Sequence, residues 1–120
     1  MSSAATPTKH IFVVYAPDKT DEGALQRRLS VRSAHIEGAA SMKKDGYLKL
    51  GGAMLTPESV ESENSEKKMS GSILFFQAEK LDEVRKTVQN DVYYTSDVWD
   101  REKIVIVPYV AAPGSQWPPS

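Results

Sequence analysis

Short apolar runs alternate along the chain with segments whose apolar residues recur at helical spacing. The first run, HIFVVYA at residues 10–16, is rich in β-branched and aromatic residues and is followed by a proline, which predicts a strand buried on both faces. A long helix is predicted next, with Thr20 as its cap and Gly46 at its end. Its apolar stripe is predicted to consist of Leu25, Leu29, Ile36 and Ala39 or Ala40.

The rest of the chain continues this alternation. YLKLGGAM at 47–54 predicts a second strand that ends in a turn or bulge at Gly51 and Gly52. SGSILFFQA at 70–78 predicts a third strand, and a polar connection joins the two. LDEVRKTV at 81–88 has helical spacing, and KIVIVPYV at 103–110 predicts the last strand. The order βαββαβ indicates the α+β class and a ferredoxin-like domain, in which a four-stranded antiparallel sheet carries two helices on one face.

Both faces of the predicted sheet carry apolar side chains. In the first, third and fourth strands each of the two alternating sets is apolar, for example Ile11 and Val13 on one side of the first strand against Phe12 and Val14 on the other. Two helices bury only one of these sets, and a bare apolar face promotes association. We therefore predict a homodimer in which two copies pack through this sheet face.

The length and composition are those of one small domain. A chain of 120 residues with 40% hydrophobic and 26% charged residues suits a single compact core. The predicted folded part covers 10–110, between a disordered N-terminal lead at 1–9 and a Pro-rich C-terminal tail at 111–120. In this tail, Trp117 is expected to be either loose or docked on a partner.

Charge and residue usage argue against several classes of function. The 15 Lys and Arg against 16 Asp and Glu give a net charge of −1, which disfavours binding to nucleic acid or to an anionic membrane. There is no cysteine, hence no thiolate metal site or Cys nucleophile, and two histidines are a thin basis for a metal centre. No cofactor motif and no membrane-spanning run is present. The sequence predicts a protein without metal or cofactor, and the lack of a targeting segment makes the cytoplasm the expected location.

The stretch RLSVRSAH carries the candidate chemistry. On a continuous helix, Arg28, Arg32 and His35 lie on successive turns, with His35 beside the apolar stripe. Two interpretations of His35 stay open: a half-buried structural residue bonded to a carbonyl, which is the more common case, or a functional group. For Arg28, an ion pair with Asp21 or another surface acid is the more common outcome. Ser30 has no second base or oxyanion motif beside it, so a serine nucleophile is not expected.

Several segments together resemble one protein family. RLSVRSAH in the first helix, NDVYY after the second helix and KIVIVPYV in the last strand are similar to the YciI-like (YCII-related) proteins, and the resemblance covers residues 10–110. It implies a dimeric α/β barrel built from ferredoxin-like subunits. It also implies a histidine–aspartate pair, with the histidine of an R-x-x-H motif at His35 and the aspartate of a D-P-Y-like motif at Asp91. Because Val92 stands where proline is usual, Asp97 remains the alternative partner.

The pair and its neighbours lead to two main hypotheses about function. In the first, the chain is a small cofactor-independent enzyme in which His35 is the general acid or base and Asp91 orients its ring. Its chemistry would be of the isomerase or lyase type, on a small carboxylate, lactone or carbonyl compound. In the second, a non-catalytic protein holds an acidic metabolite. The candidate ligand-binding residues are Arg32, Arg28, Ser30 and Tyr93. A third possibility, a partner subunit that uses the tail around Trp117, rests on composition alone.

Overall fold

The computed structural model describes residues 7–117, so the predicted lead at 1–9 and tail at 111–120 lie partly outside the described residues. Its elements are β1 (His10–Pro17), α1 (Ala24–Lys44), β2 (Leu48–Leu55), β3 (Met69–Ala78), α2 (Leu81–Asn90), a one-turn helix α3 (Val92–Thr95) and β4 (Val105–Tyr109). Short 3₁₀ turns lie at Pro57–Val60 and Arg101–Lys103. None of the helices in the described range combines the length and the apolar character that a bilayer span requires.

The four strands form one antiparallel sheet in the order β2-β3-β1-β4, and the helices pack on one of its faces. This arrangement confirms the predicted α+β, ferredoxin-like class. Alternate residues of β1 and β3 point into the core because successive side chains of a strand face opposite sides of the sheet. The core between the sheet and the helices includes Phe12, Val14, Leu74, Phe76, Val84, Val88 and Trp99.

The first helix begins later than predicted. Its first residue is Ala24 and its N-cap is Gly23, with no side-chain capping bond, so Thr20 does not cap it. The preceding residues form a turn in which the amide of Ala24 donates to the carbonyl of Asp21 at 3.1 Å. The carboxylate of Asp21 accepts two hydrogen bonds from Arg27, at 2.7 and 2.8 Å. A turn closed by an ion pair, rather than a hydroxyl cap, therefore precedes α1.

The inner face of α1 differs from the predicted apolar stripe. Leu29 and Ile36 are 47% and 46% exposed, so neither packs in the core, and Ile36 lines a cavity between α1 and the sheet. The residues of α1 that face the sheet are Ala24, Arg28, Val31, His35, Ala39 and Met42. The predicted stripe is confirmed at Ala39 and wrong at Leu29 and Ile36. Hydrophobic patterns place arginine outside, whereas Arg28 is only 2% exposed and is paired with buried groups. A buried polar pair therefore sets the rotation of α1.

The sheet face opposite the helices, which we call the open face, carries exposed apolar side chains. The most exposed of these are Tyr15 (44%), Val105 (46%), Val107 (43%) and Tyr109 (39%). Trp117 packs against two residues of this face, with ring centroids 4.9 Å from Phe75 and 5.6 Å from Tyr109. The described part of the tail thus folds back on its own sheet, which corrects the expectation that Trp117 is loose. Docking of Trp117 on a partner stays a prediction.

At Gly71, β3 lies so close to β1 that a side chain would not fit between them. A Cβ at this position would clash with the Met54 side chain and lie 2.8 Å from the Ala16 carbonyl oxygen and 2.9 Å from the Pro17 Cα. Because two of these contacts are backbone, Gly71→Ala should lower the free energy of unfolding by about 1–3 kcal/mol in urea denaturation. Gly52→Ala is the control, since its Cβ would meet nothing within 4 Å. Equal stability of the two variants would contradict this close approach.

Candidate functional site

A cavity of about 290 Å³ lies between α1 and the sheet, over β2 and β3. It exists because the sheet below the helix carries small residues there: Gly51, Gly52, Ala53 and Ser72. The apolar part of the lining includes Leu48, Leu74 and Met69, and the cationic side chains of the lining are Arg28, Arg32 and Lys43. Among the residues that the structure describes, no acidic side chain lines the cavity.

His35 lies on the wall of this cavity, with its ring fixed by a carboxylate behind it. Its Nδ1 is 2.8 Å from Oδ1 of Asp91, and the two side chains are 11% and 10% exposed. An ionised carboxylate only accepts hydrogen bonds, so this contact favours the tautomer in which Nδ1 carries the proton. Asp91 does not line the cavity, whereas His35 does. The other ring nitrogen, Nε2, is therefore the one left for a ligand.

The orientation of Asp91 is fixed by a helix cap. Asp91 is the N-cap of α3, and its Oδ1 accepts a hydrogen bond from the amide of Tyr93 at 2.9 Å. Val92 occupies the first position of α3, where the proline of the related motif would stand. The capping bond holds the carboxylate in place without that proline, so one oxygen joins the start of α3 to the middle of α1.

Tyr93 and Trp99 enclose the imidazole. The rings of His35 and Tyr93 are stacked, with centroids 3.9 Å apart and planes 14° apart. Trp99 meets His35 edge-on at 6.1 Å. Tyr93 is 1% exposed, and burial raises the pKa of its phenol above the usual value, although the charges of Arg28 and Arg32 oppose this. Tyr93 is therefore a neutral phenol at neutral pH.

Arg28 is the buried cation at the base of the cavity. Its Nη1 donates to both carboxylate oxygens of Asp18, at 2.8 and 3.0 Å, and its Nη2 donates to Oγ of Ser72 at 3.0 Å. The same Ser72 oxygen accepts from the indole of Trp99 at 3.2 Å. The Nε of Arg28 is buried and has no hydrogen-bond partner among the described residues. Burial raises the pKa of Asp18 more than the charge of Arg28 lowers it.

The ion pair expected for Arg28 forms with a buried acid rather than a surface acid. The surface pair belongs to its neighbour Arg27, which bonds Asp21 and lowers the pKa of that carboxyl to about 2. Sequence reasoning missed Asp18, Ser72 and the indole of Trp99 as partners of the site. The available signal was the position of Asp18, because an acid directly after a buried strand lies at the sheet edge where the next helix starts.

The other predicted site residues lie in different places. Arg32 lines the cavity, is exposed and makes no hydrogen bond or ion pair with a residue of the described range. Ser30 does not line the cavity; it is exposed, and its hydroxyl donates to the carbonyl of Arg27 at 2.7 Å, which corrects its assignment as a ligand-binding residue. Asp97 bonds Lys19 at 2.6 Å, which lowers its pKa. The carboxylate that contacts His35 is that of Asp91.

The described residues contain no group of three or more His, Asp or Glu side chains arranged to hold a metal ion. His10, at the start of β1, meets the ring of Phe12 edge-on at 6.4 Å and does not line the cavity. Among the described residues of the cavity lining, the side chains that can donate or accept a proton are therefore those of His35, Tyr93 and Lys43.

The model of the YCII-related domain matches residues 11–107. The chain belongs to the YCII-related domain family. Fusaric acid biosynthesis protein 2 of Gibberella fujikuroi is 26% identical over 98 residues, which are 82% of this chain and 90% of that protein. Protein YciI of Escherichia coli is 28% identical over 94 residues, 78% of this chain and 92% of that protein.

Two further relatives bear on length and fold. The aspartate kinase FUB3 of Fusarium oxysporum is 28% identical over 101 residues, but this YCII-related domain spans only 18% of that kinase. Among solved structures, the 5-chloro-2-hydroxyhydroquinone dehydrochlorinase TftG of Burkholderia phenoliruptrix, in complex with 2,5-dihydroxybenzoquinone, matches with a TM-score of 0.70 and 24% identity. The match covers 85% of this chain and 95% of TftG. It supports the ferredoxin-like fold.

Breaking the buried ion pair should destabilise this YCII-related domain. Arg28→Met leaves the carboxylate of Asp18 buried without its partner, so we expect a loss of about 3–5 kcal/mol in the free energy of unfolding at pH 7. Burial raises the folded-state pKa of Asp18 above its unfolded value. The loss should therefore shrink as the pH falls and the carboxyl of Asp18 becomes protonated, and should grow as the pH rises through its raised folded-state pKa.

Arg27→Met is the matched control for this measurement, because it breaks the solvent-exposed pair with Asp21 on the same helix. Urea denaturation should detect little change in that variant. Similar losses of unfolding free energy in the two variants, or a loss for Arg28→Met that does not depend on pH, would show that the buried pair stabilises the fold no more than the exposed pair does.

Proposed function

We propose that this YCII-related domain is a small cofactor-independent enzyme in which His35 acts as general acid or base and Asp91 orients it. The observation that carries the proposal is the 2.8 Å contact between Nδ1 of His35 and Oδ1 of Asp91, with His35 on the cavity wall and Asp91 behind it. In this arrangement one nitrogen is committed to the carboxylate and the other is available to a bound compound.

The proposed chemistry follows from that geometry. The proton on Nδ1 stays with the hydrogen bond to Asp91, so Nε2 carries the lone pair that removes a proton from a bound compound. The imidazolium that forms is stabilised by the carboxylate and then returns the proton to another atom of the same compound or to a leaving group. The first outcome is an isomerisation and the second an elimination. The rings of Tyr93 and Trp99 restrict rotation of the imidazole during both steps.

The proposed substrates are small and acidic, with an apolar body. Arg28, Arg32 and Lys43 supply positive charge along the cavity, and the described lining offers no acid to oppose an anion. A volume of about 290 Å³ suits a compound of one ring or a short chain. The compound bound to TftG, 2,5-dihydroxybenzoquinone, has this character. We infer that hydroxyquinones, lactone carboxylates and unsaturated or 2-oxo carboxylates form the class to test.

A second candidate function is binding without turnover. Arg28 is already held by Asp18 and Ser72, so its guanidinium is rigid and suited to anion recognition whether or not chemistry follows. In a binding protein, His35 would serve as one more hydrogen-bond donor to the anion. The two functions differ in whether the protein speeds up a proton transfer of the bound compound.

Exchange of carbon-bound protons for deuterium separates the two candidates. In D₂O, the wild type should catalyse exchange at carbons next to the carbonyl group of at least one compound of this class, followed by NMR. His35→Gln should slow the exchange by about 100-fold or more, because it removes the base while keeping a polar side chain. Asp91→Asn keeps a capping residue and should also slow exchange, since it removes the charge that stabilises the imidazolium.

Ser33→Ala, on an exposed part of the same helix, is the control and should leave exchange unchanged. Binding of such compounds with no exchange above the uncatalysed rate would establish the binding protein instead. Exchange that survives in His35→Gln would remove His35 from the role of base.

We also propose that the protein is a homodimer joined through the open face. The exposed apolar side chains of β1 and β4, including Tyr15 and Val107, support this, because a single copy leaves them in water. Val107→Glu should convert the dimer to a monomer in sedimentation velocity, since it would bury a charge in the interface. Val60→Glu, at an exposed position between β2 and β3, is the control. A wild type that sediments as a monomer at micromolar concentrations would overturn the proposal.

A further inference from the structure

The cavity runs along α1 between two cations that belong to different turns of the helix. Arg32 and Lys43 are eleven residues apart, which is three turns, so they project from the same side and lie about 16 Å apart along the helix axis. Both line the cavity and both are exposed, so they lie where the cavity opens to solvent. Within the described residues, neither side chain makes a hydrogen bond or an ion pair. Each is therefore available to an anion.

The part of the cavity between these cations is apolar. On the helix it is bounded by Ile36, Ala39 and Ala40, and the sheet contributes Leu48 and Leu74 to the lining. An apolar cavity of about 150 Å³ holds a benzene ring. The cavity of about 290 Å³ therefore accommodates one ring together with an acidic group at each end.

We propose that the ligand of this cavity carries two acidic groups, one bound by Arg32 and the other by Lys43, with an apolar body between them. The inference rests on the proposed function, because it takes the cavity beside His35 as the ligand site. It goes further in naming a dianion with separated charges rather than any small acid. Lys43 is then a specificity-determining residue, since a compound with a single acidic group at Arg32 does not reach it.

The direction of helical side chains supports this role for Lys43. Long side chains of a helix lean towards its N-terminus and cover the turn that precedes them. The side chain of Lys43 therefore extends over Ala39 and Ala40, which line the cavity. Lys44 is also exposed, but it does not line the cavity. Both lysines suit the negative end of the helix dipole, and only Lys43 is in addition placed to contact a ligand.

The position of His35 makes the site asymmetric. His35 follows Arg32 by three residues and precedes Lys43 by eight, which correspond to about 4.5 Å and about 12 Å along the helix axis. The proton that His35 removes is therefore nearer to the acidic group bound by Arg32. The acidic group at Lys43 is remote from the reacting atoms, and its contribution is binding and orientation of the compound.

Three aromatic acids test the spacing of the two cations. Terephthalate carries its carboxylates on opposite sides of one ring, phthalate carries them on neighbouring carbons, and benzoate has only one. Because terephthalate and phthalate have the same charge, a difference between them reports on spacing. We expect the wild type to bind terephthalate about threefold or more tightly than phthalate or benzoate, in NMR titrations at pH 7, which is the effect of one exposed ion pair.

Two matched lysine substitutions separate a direct contact from the net charge. Lys43→Met and Lys44→Met each remove one charge from the last turn of α1 and keep an unbranched side chain. Lys43→Met should weaken terephthalate binding about threefold and leave benzoate binding unchanged, whereas Lys44→Met should alter neither. Arg32→Met should weaken the binding of both acids, because each places a carboxylate there. All three positions are exposed, so the variants are expected to fold.

The results distinguish this inference from the function on which it rests. A wild type that binds benzoate but does not prefer terephthalate over phthalate overturns the inference and leaves the anion site of the proposed function intact. Equal effects of Lys43→Met and Lys44→Met on terephthalate, or equal losses of benzoate and terephthalate binding in Lys43→Met, also overturn it. A wild type that binds none of the three acids overturns the inference, and it overturns the proposed function as well if the compounds of the proposed class also fail to bind.

Discussion

The burial of one arginine fixes the geometry of the whole site. A guanidinium that is 2% exposed must be paired, and Arg28 finds its partners at the end of β1, in Asp18, and on β3, in Ser72. These contacts fix the rotation of α1 about its own axis. Two turns further along, the same rotation turns His35 towards the sheet, and it leaves Leu29 exposed. The position of the imidazole is therefore a consequence of a polar contact near the start of the helix.

A second constraint is the double use of the Asp91 carboxylate. One oxygen caps α3 and also meets Nδ1 of His35, so the start of this short helix and the ring of the histidine are tied to the same atom. Because α3 carries Tyr93 in its first turn, the capping bond also sets the ring that stacks on the imidazole. The pairing of His35 with Asp91 and its stacking on Tyr93 thus both depend on the capped start of α3. Movement of α3 would disturb both at once.

The sequence predicts the sheet better than it predicts the first helix. β1, β3 and β4 are runs rich in β-branched and aromatic residues, and β2 is marked by alternating leucines, so the places of the strands along the chain follow from pattern. The inner face of α1 contains Arg28 and His35, two polar residues whose burial depends on partners in other elements. Periodicity placed His35 only beside the apolar stripe, and it gave no reason to bury Arg28. The choice of Asp91 came from a family motif rather than from spacing. The contact of Trp117 with the open face could not be predicted, because the Pro-rich segment around it has no apolar periodicity.

The pair of glycines in β2 gives the cavity a floor made of backbone. At Gly51, an added Cβ would lie 2.9 Å from the Leu74 side chain, whereas at Gly52 it would meet nothing within 4 Å. Both positions line the cavity, and both lie apart from the hydrogen bonds that hold His35. The added Cβ at Gly51 would face Leu74 and Leu48 of the lining, whereas Gly52 pairs with Ile73, whose side chain is on the open face. These neighbouring positions therefore separate two kinds of evolutionary change: a substitution at Gly51 alters the size of the cavity, and a substitution at Gly52 alters the opposite face of the sheet.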